Sequence, residues 1–199
     1  MRLSDCTLYP TQSSLIFSLN VICQDCALTH GKHILEEGQA KLLEFETMNL
    51  RLDLPKLLPK AINWAERKQR EILETGRPLS QEEIAIARGV GVVNPEKIRI
   101  KIVDRLPFPE DPELAAAAQQ TGMLGPDMTG LTLFYGIFIC QHDSGNRHLI
   151  AHECRHVQQY EERGSISHFL QEYLFQILSA GYDNSQLERD ARMAAARFL

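Results

Sequence analysis

The chain has 199 residues, 44% of them hydrophobic and 24% charged, with 12 Gly and 9 Pro. This composition excludes a wholly disordered or collagen-like chain and supplies one core-bearing domain with an appended segment. Acidic side chains outnumber basic ones by 26 to 21, a formal net charge of -5, and no run of Lys and Arg is long enough to track phosphates, so no nucleic-acid partner is expected. Five cysteines, an odd number in a chain too long to depend on disulfides, fit a reducing compartment, and a cytoplasmic location is the expectation.

In chain order, the apolar stretch from Leu15 to Ile22 is the first feature. Only Arg2 precedes it with positive charge, Asp5 offsets that charge, and no small-x-small site follows, so it does not read as a signal peptide. No stretch is long enough to span a bilayer, and no membrane partner is expected. Cys23, Cys26, His30 and His33 then place four potential ligands within 11 residues. Their spacing is tighter than that of a zinc finger with its long ligand-free loop. A second metal site is one reading, and thiols without function are the more ordinary one. Residues 1–50 show no sustained period and form an N-terminal segment with no assigned element.

Regularity begins after Pro55. Leu57, Leu58, Ala61, Ile62, Ala65, Ile72 and Leu73 recur at helical spacing and predict a helix over 57–75, stopped by Gly76-Arg77-Pro78. Ser80 and Glu83 make a capping-box pattern that opens a helix over 80–88. The alternation of Ile98, Ile100 and Ile102 with Arg99 and Lys101 predicts a half-buried strand over 98–103. Pro112 and the alanines at 115–118 predict a short helix ended by Gly122. Residues 131–139, β-branched and aromatic, predict one strand with a bend or bulge at Gly136. Helices are expected over 147–163, 165–180 and 185–198, punctuated by Gly164 and Gly181.

Five of the seven histidines, His142, His148, His152, His156 and His168, lie within 27 residues, and two of them frame His152-Glu153-Cys154-Arg155-His156. This is the HExxH pattern. Residues four apart share one helix face, so two imidazoles can converge on one ion, while the intervening Glu points toward a water on it. Leu149, His152, Glu153, His156 and Tyr160 form one stripe, and Ile150, Cys154 and Val157 form an apolar stripe beside it that anchors the helix. The ordinary reading of the two histidines is a surface helix, that of Glu153 a surface charge partner, and that of Cys154 a small buried hydrophobe. His168 reads as a surface or cap residue. Gln159 and Glu162 stand where a metzincin would have Gly and His, which excludes that subclass.

On these residues the chain resembles the zincin metallopeptidases, in particular the gluzincin-like members, and within them small bacterial zincin domains. The resemblance covers about residues 130–199. It implies one Zn²⁺ per chain, hydrolysis of a peptide or protein substrate with Glu153 as general base, and an edge strand beside the metal helix that aligns an extended substrate. It also implies a third ligand on a later helix, for which Glu188 is the candidate, with Asp190 and Glu172 the other carboxylates in reach and a surface carboxylate the ordinary reading. Arg192 stands where thermolysin-like enzymes carry Asp, and the 31 residues between His156 and Glu188 are more than such enzymes have, which an extra helix around Phe169–Leu178 explains. Tyr182 and Tyr160 are candidates to stabilise the developing oxyanion, and core or rim aromatics are the ordinary reading of both.

The expected fold is therefore α+β and zincin-like over 51–199: a small sheet with an edge strand beside the HExxH helix, and a helical C-terminal half. The expected function is that of a zinc-dependent metallopeptidase. The alternative is a zinc-stabilised, non-catalytic protein-interaction module, which a fourth protein ligand in place of water would favour. With 131–139 as the strand before the metal helix, Gly136 is expected where the backbone approaches substrate or bends toward the metal.

Overall fold

The helix expected over 57–75 is the later part of a longer one. In the computed structural model, which describes residues 29–125 and 127–199 and side chains from Leu50 onward, α1 runs over Thr29–Thr75 and contains Pro55 and Pro59. The stretch 15–22, Cys23 and Cys26 lie outside the described residues, as do the side chains of His30 and His33. Residues 46–199 form a compact unit of their own.

The protein is mixed α/β. After α1 come β1 (Arg77–Pro78), α2 (Gln81–Gly89), β2 (Arg99–Val103), α3 (Pro112–Gln120), β3 (Gly130–Leu133), β4 (Gly136–Cys140), α4 (Arg147–Arg163), α5 (Ile166–Ala180) and α6 (Gln186–Ala195), with short 3-10 turns at Pro95–Lys97, Gln141–Asp143 and Ala196–Phe198. The strands form one sheet in the order β1-β2-β4-β3, with the β2–β4 pair parallel and the two outer pairs antiparallel.

The single strand expected over 131–139 is a hairpin. Phe134 and Tyr135 form its two-residue turn, and Gly136 opens β4 instead of bulging a strand. Phe134 adopts φ 57°, a conformation that hairpin turns usually give to Gly or Asn. Its ring stacks on Tyr135 at 4.4 Å and on Tyr160 at 5.7 Å. Gly136 does not approach the site: a Cβ there would lie 2.8 Å from Ile72 Cδ1 and 3.0 Å from Ile72 Cβ, so its role is close packing of sheet on helix.

Central strand β4 is buried along its whole length, which is why it reads as continuously apolar. Ile137 and Ile139 pack with Ile98, Ile100, Ile86, Ile150, Cys154 and Val157, whereas Phe138 and Cys140 pack with Trp64, Ile72, Leu114 and Phe169. Helix α4 serves both clusters, giving Ile150, Ala151, Cys154 and Val157 to one and Tyr160 to the other. The Ser80–Glu83 capping box forms as the sequence predicts, and Arg77 grips Glu83 with two hydrogen bonds of 2.7 Å. Among the described residues no helix is long and apolar enough to cross a membrane.

Candidate metal centre

Helix α4 is fixed at both ends. Asn146 Oδ1 accepts the Leu149 N–H at 3.2 Å, and Gly164 closes the other end at φ 74° with its N–H on the Tyr160 carbonyl. The apolar stripe of α4 faces the sheet, which turns Glu153, His156 and Gln159 into the interior while His152 keeps partial exposure. Helix α6 brings the third group. Ser185 caps it by accepting the Glu188 N–H at 3.2 Å, so Glu188 sits in the first turn, where the positive end of the helix favours a carboxylate. Glu188 is 0% exposed, against the surface position that is the ordinary reading of such a residue.

One ligand atom from each of His152, His156 and Glu188 lies within 4.8 Å of the other two. The imidazole Nε2 atoms are 3.1 Å apart, His156 Nε2 is 3.2 Å from Glu188 Oε1, and His152 Nε2 is 3.4 Å from Glu188 Oε2. A tetrahedral zinc with bonds of 2.0–2.1 Å sets neighbouring ligand atoms roughly 3.3–3.4 Å apart; the separations here are of that order, with the two imidazoles each approaching a different oxygen of Glu188. Glu188 Oε2 is buried without a hydrogen-bond partner, with His152 Nε2 at 3.4 Å and the Arg192 guanidinium at 3.8 Å as its charged neighbours, and a bound cation would satisfy it more closely. Two nitrogens and a carboxylate suit zinc, and the residues fit the ion.

Electrostatics agree with a cation site. Burial would raise the Glu188 carboxyl, but the imidazoles and the Tyr173 hydroxyl outweigh it and hold the group well below the usual carboxylate range. Burial would lower His156, but hydrogen bonding to Glu188 and the negative charges around it leave the imidazole up at about 9. Tyr173 OH donates to Glu188 Oε1 at 2.6 Å.

Glu153 lies beside this group against the edge strand. Its Oε2 accepts the Thr132 hydroxyl at 2.7 Å, and the same hydroxyl lies 3.1 Å from the Glu153 carbonyl. Gly130 leaves space for it: a Cβ there would sit 2.7 Å from Glu153 Cδ and 2.9 Å from Cγ. Strand β3 is the sheet edge. The Cys140 N–H donates to the Thr129 carbonyl at 2.8 Å, so by antiparallel alternation Thr129, Leu131 and Leu133 turn their backbone groups to β4, and Gly130 and Thr132 turn theirs outward.

The edge strand, His152, Glu153, His156, Glu188 and Tyr182 all border one cavity of about 130 Å³. Its remaining wall is apolar, with Leu57 and Trp64 of α1, Leu114 and Ala118 of α3, Leu124 and Leu170. Burial and the neighbouring Glu188 push the Tyr182 hydroxyl up, so it is present as a donor. Tyr160 is different: it stacks on Phe169 at 3.7 Å, and its hydroxyl lies 3.5 Å from the Thr132 carbonyl rather than at Glu188.

The other candidates fall outside this group. Glu172 is paired with Arg163 on the surface at 2.7 Å, and Asp190 with Arg155 at 2.7 Å, which leaves Glu188 as the carboxylate at the histidines. His142 lies near Asp143, and the exposed His168 contacts the Arg163 carbonyl. Cys154 packs as a buried small side chain, its thiol pushed up by burial. Among the described residues no fourth ligand joins the three. Sequence reasoning overlooked Tyr173, Thr132, Gly130 and Gln159. Tyr173 was detectable in principle, as the one hydroxyl on the otherwise apolar stripe Ile166, Phe169, Leu170, Ile177.

No protein-family model matches the chain, no curated protein matches it in sequence, and no solved structure matches its fold.

Proposed function

We propose that the chain is a zinc-dependent peptidase with a gluzincin-like site: His152, His156 and Glu188 hold the metal and Glu153 is the general base. The observation that carries this reading is the convergence of one ligand atom from each of His152, His156 and Glu188 within 4.8 Å, with Glu188 Oε2 buried without a hydrogen-bond partner and the buried Glu153 next to His152 on α4. When bound, zinc supplies Lewis acidity toward the scissile carbonyl and lowers the pKa of a water toward about 7.

The chain's own groups do the rest. Thr132 holds Glu153 Oε2, which leaves Oε1 to take the proton of the attacking water and pass it to the leaving amine. Tyr182, protonated at the cavity wall, donates to the carbonyl oxygen as negative charge develops there. The outward backbone groups of Gly130 and Thr132 pair with an extended peptide, and the apolar wall of the cavity receives one of its large hydrophobic side chains.

Glu153→Gln tests the assignment. The amide keeps the shape but accepts no proton, so zinc content stays at one equivalent while hydrolysis of a peptide library with large apolar residues falls by orders of magnitude. Equal cleavage by the variant and the wild type removes Glu153 from the mechanism. A zinc-loaded wild type that cleaves nothing favours the interaction module.

A further inference from the structure

We propose that Gln159 is the positioning residue for His156, and that the site requires an amide there because a carboxylate would face two acceptors. The inference rests on the metal centre proposed above and extends it to the groups behind the ligands.

Gln159 is 1% exposed and lies on α4 three residues after His156. A buried amide is costly unless both ends are bonded, and here both are. Its Nε2 donates to the Leu187 carbonyl at 3.0 Å and to Asp190 Oδ2 at 2.8 Å. Both partners are acceptors, so the nitrogen must point to them and Oε1 must point to the imidazole. Oε1 lies 2.9 Å from His156 Nδ1. Nδ1 therefore keeps its proton, and with a metal bound it is Nε2, facing His152 and Glu188, that gives its proton up to ligate.

The amide is held in turn. Arg155 Nε donates to Asp190 Oδ2 at 2.7 Å, its NH2 to Oδ1 at 3.1 Å, and its NH1 to the Val90 carbonyl at 2.8 Å. Leu187 and Asp190 flank Glu188 on α6, so one network ties the helix carrying both histidines to the helix carrying the carboxylate. Metal-bound histidines commonly donate to a carboxylate directly. In this chain the carboxylate is one step removed, and Gln159 converts its acceptor into an acceptor for Nδ1–H.

The experiment uses the full chain and measures zinc dissociation constants by chelator competition, the Nδ1–H resonance of His156 by ¹⁵N NMR of the zinc-loaded protein, and melting of the zinc-free protein. Gln159→Met should weaken zinc binding by about 10–100-fold and release the Nδ1 proton to fast exchange. Gln159→Glu should weaken it as well, because its outer oxygen meets the Leu187 carbonyl and Asp190. Adding Asp190→Asn removes one of the two opposing acceptors and its charge, at the cost of the Arg155 Nε contact to that atom while the amide oxygen still accepts from the other Arg155 nitrogen, and should recover part of the loss. This pair of carboxylate variants decides the matter if Gln159→Met fails to fold, because the Nδ1–H resonance of His156 should shift in both, whereas a residue that only filled space would leave it unchanged.

Wild-type affinity and an unchanged Nδ1–H signal in Gln159→Met overturn the positioning role. Gln159→Glu binding zinc as tightly as wild type overturns the requirement for an amide. If the wild type itself takes up no zinc, the metal centre falls and this proposal with it, whereas zinc-loaded wild type with an equally loaded Gln159→Met removes this proposal alone.

Discussion

Gly130 carries no side chain because Glu153 occupies the space a Cβ would take. In Gly130→Ala the methyl meets Glu153 Cδ and Cγ, and the carboxylate must rotate off the Thr132 hydroxyl. A misplacement of about 1 Å at a reacting group costs on the order of 10²-fold, and the metal ligands are untouched. We predict a loss in kcat of that order with zinc affinity preserved, measured by steady-state kinetics beside chelator titration. Loss of zinc in parallel with activity would show that Gly130 supports the fold and not Glu153. At this scale the sequence displayed His152, Glu153 and His156 because four-residue spacing on a helix is local information. Glu188 was reached only through the gluzincin pattern, because nothing near it in sequence marks it as buried. Thr132 was not legible, since its partner Glu153 is a tertiary contact, and Gln159 shares a helix face with His156 but owes its orientation to Leu187 and Asp190 on another helix.

At the scale of elements, helices were read well where their ends carry local start and stop residues. Ser80 with Glu83, Pro112, Gly164 and Gly181 all mark the ends that periodicity suggests. The hairpin was missed because its turn is Phe134–Tyr135, two strand-favouring residues where Gly, Asn or Asp would announce a turn. Gly136, read as a bend near substrate, is the contact point of β4 with Ile72, so Gly136→Ala should lower stability by about 1–3 kcal/mol with zinc content per folded chain unchanged. Urea unfolding beside metal analysis checks this, and a variant of wild-type stability would contradict it.

The Arg77–Glu83 pair makes a prediction about pH. Burial raises the Glu83 carboxyl, but Arg77 and the Ser80 backbone outweigh it and hold it below its ordinary value. A depressed carboxylate contributes stability that is fully present above its unfolded pKa and is lost as pH falls through the folded one. Wild type should therefore exceed Glu83→Gln in stability at pH 7, with the gap closing as the solution is acidified below about pH 4. A gap that is constant from pH 7 to pH 3 would assign the effect to the cap geometry alone.

For the molecule as a whole, the sheet order places β3 at the edge and α4 beside it, while α1 and α3 wall the cavity that opens at the histidines and Glu188. The HExxH helix announced two members of the clustered triad, but the apolar character of the cavity was not legible, because its walls come from helices far apart in sequence. The central claim is that one zinc is held by two imidazoles and a carboxylate with room for a water. X-ray absorption at the zinc edge of the loaded full-length protein tests it most directly. About four nitrogen or oxygen neighbours at 2.0–2.1 Å are expected, with the multiple-scattering pattern of two imidazoles. Sulfur neighbours at about 2.3 Å would place the metal on cysteines and contradict it.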